Sequence, residues 1–310
     1  MRKGRLQVVA SVVILVATFA LFARYLQTHP QYVSELKTTD PWWIVAIVTA
    51  NFFLITVLAF ISLVLIKMVG KTIGTTENWL LTIYSSIANF FGPLQSGPGV
   101  RAAYLKTKHQ VSLRSYFLVM LLAYGVYAVM SAFMLLIGTR PWWQALLACL
   151  GAAAVSFVVI RFAGRRRKQD LMSLHIQPVY IALLIGLTAL QLVFTSLRYY
   201  LAIRASGNDV TLGQLVSYTG AANFALFVSI TPDGIGIREA FLLFSQNIHQ
   251  VSTDTIVAAN LIDRATYVLF LGILFLIALS LHAKERLKLP TTRANQSVDE
   301  PDAPMPPSKT

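Results

Sequence analysis

Residues 231–241 read TPDGIGIREAF, in which Gly234 and Gly236 precede Arg238 and Glu239. Glycines let a backbone turn and expose its amides, and an arginine at the following helix start adds a guanidinium fork. Amide N–H groups, a positive helix end and that fork together suit a phosphate. The same parts recur upstream as Gly97, Gly99 and Arg101 in GPGVRAAYL. Asp263 and Arg264 lie about nine residues inside the last apolar run, roughly 13 Å along a helix. Adjacent helical residues do not face each other, so each needs its own partner. Arg264 is expected to reach Glu239 or a lipid phosphate, and Asp263 to reach Arg238. Two readings of Arg238 stand side by side: contact with phosphate, or internal pairing with an acid such as Asp233, Asp263 or Glu239.

Other chemistries lack their residues. Gly70-Lys71-Thr72 resembles the end of a phosphate loop, but Leu65 stands where its first glycine is required. The five histidines are scattered without paired ligand spacing, and no Asp-x-Asp metal motif or G-x-S-x-G elbow occurs. The sequence therefore predicts no catalytic residues, no metal, no cofactor and no enzyme activity.

These groups must be positioned within lipid. The chain of 310 residues is 56% hydrophobic and 13% charged, about half the charge of a soluble domain. Six apolar runs read as full spans, at about 6–23, 41–66, 115–138, 141–161, 178–203 and 255–281. Two weaker runs, 79–96 and 212–231, end in Pro/Gly clusters and read as re-entrant hairpins. The first run follows Met-Arg-Lys-Gly-Arg and is expected to be an uncleaved anchor. Residues 1–286 form the integral membrane domain, and 287–310, rich in proline and acids, form a disordered cytoplasmic tail.

Positive charge decides the hairpin question. With re-entrant weak runs and a cytoplasmic N-terminus, Lys67, Lys71, Arg101, Lys106, Lys108, Arg114 and the cluster Arg165-Arg166-Arg167-Lys168 all face the cytoplasm. Full crossings would put that cluster outside. Pro41-Trp42-Trp43 and Pro141-Trp142-Trp143 then open spans at the outer interface. Arg198 is expected to snorkel to that interface. The net charge of +13 points to orientation and anionic lipid, and without arginine–aromatic interleaving not to nucleic acid. The single Cys149 leaves no disulfide framework.

The motifs repeat. Ala88-Asn89-Phe90 precedes the first G-x-G-apolar-R-x-A-aromatic-L pattern, and Ala222-Asn223-Phe224 the second. Gln110-Val111-Ser112 and Gln250-Val251-Ser252 follow, 140 positions apart like Tyr127 and Tyr267. Three spans separate the motifs, so the copies face opposite sides. The fold expected is an all-α polytopic membrane protein with an inverted repeat, 41–138 and 178–281. Broken segments in such repeats mark a site at the repeat interface. Asn89, Gly97, Gly99, Asn223, Pro232, Gly234 and Gly236 are its expected re-entrant backbone; Ala123 and Tyr124 are the first-copy counterparts of Asp263 and Arg264.

The span order and the motifs PLQSGPGVRAAYLK and TPDGIGIREAFLLF resemble the transmembrane region of lysylphosphatidylglycerol synthase/flippase proteins, over roughly residues 5–285. The second motif, P-x-G-x-G-x-R-E-A, is the more specific, here with Asp233 after Pro232; the first matches more loosely. The resemblance implies a membrane protein that translocates or handles amphiphilic lipids, anionic phospholipid or polyprenyl-phosphate-linked. It implies no synthase activity, because the aminoacyl-transferring soluble domain of full-length members has no counterpart after the last span. The expected function is translocation of a phosphate-bearing lipid. Arg101 serves an inner mouth and Arg238 an outer one, Arg264 also contacts phosphate, and Glu239 and Asp263 exchange partners. The alternatives are an intramembrane lipid-modifying transferase and a scaffold for a separate synthase or glycosyltransferase. The setting expected is a bacterial inner membrane, with both termini cytoplasmic.

Overall fold

A computed structural model of the chain describes residues 24, 27–28, 30–92, 96–138, 140–164, 174–228 and 236–287. The expected first span, the Arg165–Lys168 cluster, Pro232, Gly234 and the tail beyond 287 lie outside the described residues. Among them run eleven helices and no strands. They are α1 (Pro30–Thr38), α2 (Pro41–Met68), α3 (Thr75–Phe91), α4 (Gly97–His109), α5 (Leu113–Ile137), α6 (Trp142–Gly164), α7 (Pro178–Ala205), α8 (Leu212–Val228), α9 (Ile237–Phe244), α10 (Gln246–His249) and α11 (Thr253–Leu287).

Helices α2, α5, α7 and residues 253–280 of α11 are long and apolar enough to cross a membrane, and Trp142–Val158 forms a shorter apolar stretch. Their ends are set by ordinary signals. Pro41 and Pro178 stand in the first turns of α2 and α7, and Asp40 accepts from Trp42 N at 2.9 Å. Ser112 and Ser252 cap α5 and α11 by accepting from Ser115 N and Thr255 N. Trp42, Trp142 and Trp143 are exposed, as interface anchors must be.

The two weak runs fold back on themselves. The 17-residue α3 spans about 25 Å, and α4 returns alongside it. Glu77 near the start of α3 meets His109 at the end of α4 at 2.6 Å, so both arms end at one level. In the second hairpin Gln214 Nε2 donates to Gln250 O at 2.9 Å and closes the base in the same way. The expected run 79–96 covered only the outgoing arm and the tip, since the polar sequence of α4 carries no span signal. At that tip Ser96 Oγ donates to Ala88 O at 2.5 Å and Gly97 N to Asn89 Oδ1 at 2.7 Å. A Cβ on Gly97 would fall on the Ser85 carbonyl oxygen and 2.6 Å from Asn89 Oδ1, which is why glycine stands there.

α2 and α7 pack antiparallel. Ile47 clusters with Ala202 and Ile203, whereas Leu184 clusters with Leu65 and Ile66. One hairpin base lies at the C-terminal end of α2 and the other at the C-terminal end of α7. The hairpins thus enter from opposite ends of this pair. α5 and α8 approach with almost no side chain between them: Gly213 lies against Gly138, and Gly220 against the backbone of Leu135.

The backbone repeats in detail. α2 and α7 have 28 residues each and α3 and α8 17 each, and both pairs stand 137 positions apart (41 and 178, 75 and 212). Left-handed Gly70 and Gly207 keep that spacing, and left-handed Gln110 and Gln250 stand 140 apart. The three extra residues fall between Leu242 and Gln250, where the second returning arm breaks at Ser245 into α9 and α10. At the 137 spacing Asn223 matches Ser86 rather than Asn89, so the A-N-F match is three residues out of register.

The first hairpin base is held by charge. Around Glu77 stand His109 at 2.6 Å, the Tyr104 hydroxyl at 2.7 Å and Lys108 Nζ at 3.0 Å. Burial, the largest single influence, opposes ionisation, but the three hydrogen bonds and the Lys108 charge outweigh it and hold the Glu77 pKa at about 2, below the ordinary 4.5. A depressed carboxylate stabilises above its unfolded pKa and loses that contribution as pH falls through the folded one. Wild type should therefore unfold at a higher temperature than Glu77→Gln at pH 5, with the difference closing toward pH 2. Paired thermal-unfolding series across that range check this.

Candidate functional site

Both hairpins reach one cavity of about 270 Å³ between the two copies. Its walls correspond across the repeat. Leu54, Leu58, Ile61 and Ser86 face Gln191, Thr195, Arg198 and Asn223 at the 137 spacing, as does Arg101 with Arg238. Ala123, Tyr124 and Tyr127 match Asp263, Arg264 and Tyr267 at the 140 spacing. The cavity is therefore lined by matching positions of both halves, although the chemistry on its two sides differs.

The second copy carries an ion network. Arg198 on α7, buried to 9% exposure, places Nε 3.0 Å from Asp263 Oδ1. Arg238 on α9 lies 3.4 Å from Asp263 Oδ2 and donates to Asn260 Oδ1 at 3.0 Å. Arg264 Nη2 lies 2.6 Å from Glu239 Oε1, and Glu239 Oε2 accepts from Gly236 N at 2.8 Å. Glu239 thereby fixes the start of α9, where Gly236 adopts φ +81°, open to glycine and costly for other residues. Arg198 also donates to Asn51 Oδ1 at 3.3 Å and stands over the rings of Tyr199 and Tyr267.

Several of these contacts are close without being aligned. Arg198 Nε, Asp263 Oδ1 and Arg264 Nη2 sit at ion-pair distance yet complete no hydrogen bond of proper geometry. The attraction is therefore that of charge on charge in an apolar surround, where each ion would be costly alone.

The first copy contributes far less charge. Arg101, on the second turn of α4, lines the cavity with no acidic partner among the described residues. Its Nε is buried without a hydrogen bond, and the Tyr116 hydroxyl stands close enough to interact with its guanidinium. Among the described residues, four arginines thus meet two acids at this site.

The expected residues assemble with some changes of place. Arg101, Arg238, Asp263 and Arg264 line a single cavity, and Glu239 stands behind Arg264. Asp263 reaches Arg238 and Arg264 reaches Glu239. Asn89 supports the broken backbone by accepting from Gly97 N, whereas Asn223, 1% exposed, leaves its Nδ2 without a partner. Gly99 has open space where a Cβ would lie, so no close approach requires glycine there.

Arg198 was misplaced by sequence reasoning. It does not snorkel to the interface; it turns inward and binds the acid that Arg238 also needs. No charge count would have revealed it, because Arg238 and Arg264 alone already match Glu239 and Asp263 two to two; only the fold shows Arg198 beside Asp263.

A helical bundle with four spanning-length apolar helices, two returning hairpins and charges paired in its interior is a multi-pass membrane protein. The family model of the lysylphosphatidylglycerol synthase TM region matches residues 7–275, and the chain belongs to that family, whose membrane role is related to lipid. No curated protein gives a significant match to the sequence.

Asp263 holds two buried guanidinium groups, so its removal leaves both under-compensated. Asp263→Ala should cost about 3–5 kcal/mol, and a thermodynamic cycle with Arg198→Met should return a coupling of about 1–3 kcal/mol. Unfolding of the detergent-purified variants measures both quantities.

Proposed function

We propose that the protein is a translocator of phosphate-bearing lipids, which binds the headgroup in the cavity between the two repeats and releases it on the other side. The observation that carries this reading is Arg101: a cation at a hairpin tip, lining a cavity already richer in arginine than in acid, with no internal counter-ion among the described residues. A lipid phosphate supplies the missing charge and hydrogen-bond acceptors. The two hairpins support alternating access, since they enter from opposite ends of the α2–α7 pair and meet at one site. Membership of a lipid-related family agrees with it. In this reading Asp263 and Glu239 hold Arg198, Arg238 and Arg264 while the cavity is empty and exchange them with the phosphate when it fills.

The end bearing the first hairpin base faces the cytoplasm. Exposed Lys67, Lys71, Lys106 and Lys108 gather there, whereas Asp40, Asp209 and Asp254 lie at the opposite end. In a Cys149→Ala background, Asp209→Cys should react with an impermeant maleimide in intact cells, and Thr72→Cys only after permeabilisation. Labelling of both from outside would break the opposed arrangement.

Transport itself is read in liposomes holding the purified chain and a fluorescent short-chain phosphatidylglycerol, by dithionite quenching of the outer leaflet. Arg101→Gln should lower the initial rate at least about tenfold, equivalent to ~1.4 kcal/mol, with folding intact. Wild-type rates in that variant would sink the role of Arg101, and chemical modification of the probe without movement would favour a transferase.

A further inference from the structure

We propose that the cytoplasmic corner where α2 ends and α7 begins is a second anion site, which takes the phosphate of an inner-leaflet phospholipid between Lys67, Lys71 and His175. It lies apart from the cavity between the hairpins and does not depend on how that cavity is used.

A groove of about 250 Å³ opens at this corner, lined by both lysines, Thr72, His175, Gln177 and Tyr180. Its floor is a built turn. α2 stops at left-handed Gly70, whose amide donates to Lys67 O at 2.9 Å, while Lys71 N donates to Ile66 O at 3.1 Å. The chain leading into α7 is pinned to that turn. His175 N donates to Met68 O at 2.8 Å, and a Cβ on Gly70 would stand 2.9 Å from His175 Nδ1. The imidazole thus rests on the glycine, in the same groove as the two lysines. Neither lysine meets a carboxylate among the described residues.

The repeat supplies the comparison. At the 137 spacing the matching corner lies at the outer end, where α7 ends and α2 begins. There the charges are settled internally. Arg204, in the place of Lys67, pairs with Asp209 at 2.7 Å, and Asp40 caps α2 by accepting from Trp42 N at 2.9 Å. At the inner corner Thr72 stands in the place of Asp209 and Gln177 in that of Asp40. Gln177 gives α7 no side-chain cap. Lys71 replaces Asn208, and His175 replaces Thr38. Matching backbone therefore keeps its cation, loses both carboxylates and gains a lysine and a histidine. Ammonium, imidazole N–H and the amides of an uncapped helix start are the donors that a phosphate takes.

The neighbours of the groove point to lipid as the source of that phosphate. Ile176, Val179 and Leu183 are exposed along the entry to α7, so acyl chains can lie against them while the phosphate sits in the groove. Basic pockets at the cytoplasmic ends of membrane helices hold anionic headgroups in this way.

The test uses the full chain in an uncharged maltoside detergent, carrying Cys149→Ala and a bimane on Thr72→Cys, so that emission reports the groove. Dihexanoyl-phosphatidylglycerol should change the emission saturably. Inorganic phosphate at matched ionic strength should need at least about tenfold more, and dihexanoylglycerol should do nothing. Lys71→Gln should raise the half-saturating lipid concentration about fivefold. Gln177→Asp, which gives α7 the acid that α2 has, should raise it at least about tenfold. Arg101→Gln should leave the response unchanged, which separates this site from the cavity. An equal response to inorganic phosphate would overturn lipid as the source while leaving the anion site standing. A response lost in Arg101→Gln, or undiminished in both Lys71→Gln and Gln177→Asp, would overturn the groove as its origin. Asp170 lies in the sequence between α6 and α7. A stronger response in Asp170→Asn would mean that an acid of the chain already fills the groove, and would overturn the proposal. So would the absence of any response to the phosphate-bearing probes.

Discussion

The Asp263 carboxylate, held between two guanidinium groups inside an apolar bundle, is the constraint on which much of the remaining arrangement depends. A lone charge in such surroundings costs several kcal/mol, so the acid fixes where Arg198 and Arg238 must be. That requirement joins three elements distant in sequence. α7 must turn Arg198 inward, the returning arm of the second hairpin must deliver Arg238, and α11 must lie beside both. Arg198 extends the tie to α2 through Asn51, across the packed α2–α7 pair. The interior is thus polar at one place, and the helices converge on it.

Backbone and chemistry follow different rules in the two copies. Helix lengths, serine caps and left-handed residues correspond along the chain, since they are set by sterics and hydrogen bonding common to both halves. Side chains facing the cavity obey no such requirement. Where the second copy has Arg198, Asp263 and Arg264, the first has Ile61, Ala123 and Tyr124. The hairpin bases differ too: Glu77 gathers Lys108 and His109 at one, while neutral Gln214 and the buried His249, bonded only to backbone, close the other.

The sequence reveals the bundle through long apolar runs, which cross lipid under a strong physical requirement. The same logic makes the hairpins visible, because Gly/Pro clusters after a short apolar run leave backbone that only a protein interior can satisfy. Less legible was the polar return arm Gly97–His109, which has no apolar signature and takes its place from contacts with α3. Tripeptide similarity put Asn89 opposite Asn223, but helix register, visible only in three dimensions, moved Asn223 by nearly a turn and gave it different surroundings. Arg198 escaped because an arginine near a span end reads the same whether it faces the interface or the interior. Only the position of its partner decides.

The residue-by-residue correspondence of the cavity walls makes the protein a natural object for transplantation. Because Ile61 and Arg198, and Ala123 and Asp263, occupy matching places in the two halves, the charges of the second half have corresponding positions in the first. The polarity of the molecule is therefore carried by a handful of side chains rather than by the course of the backbone.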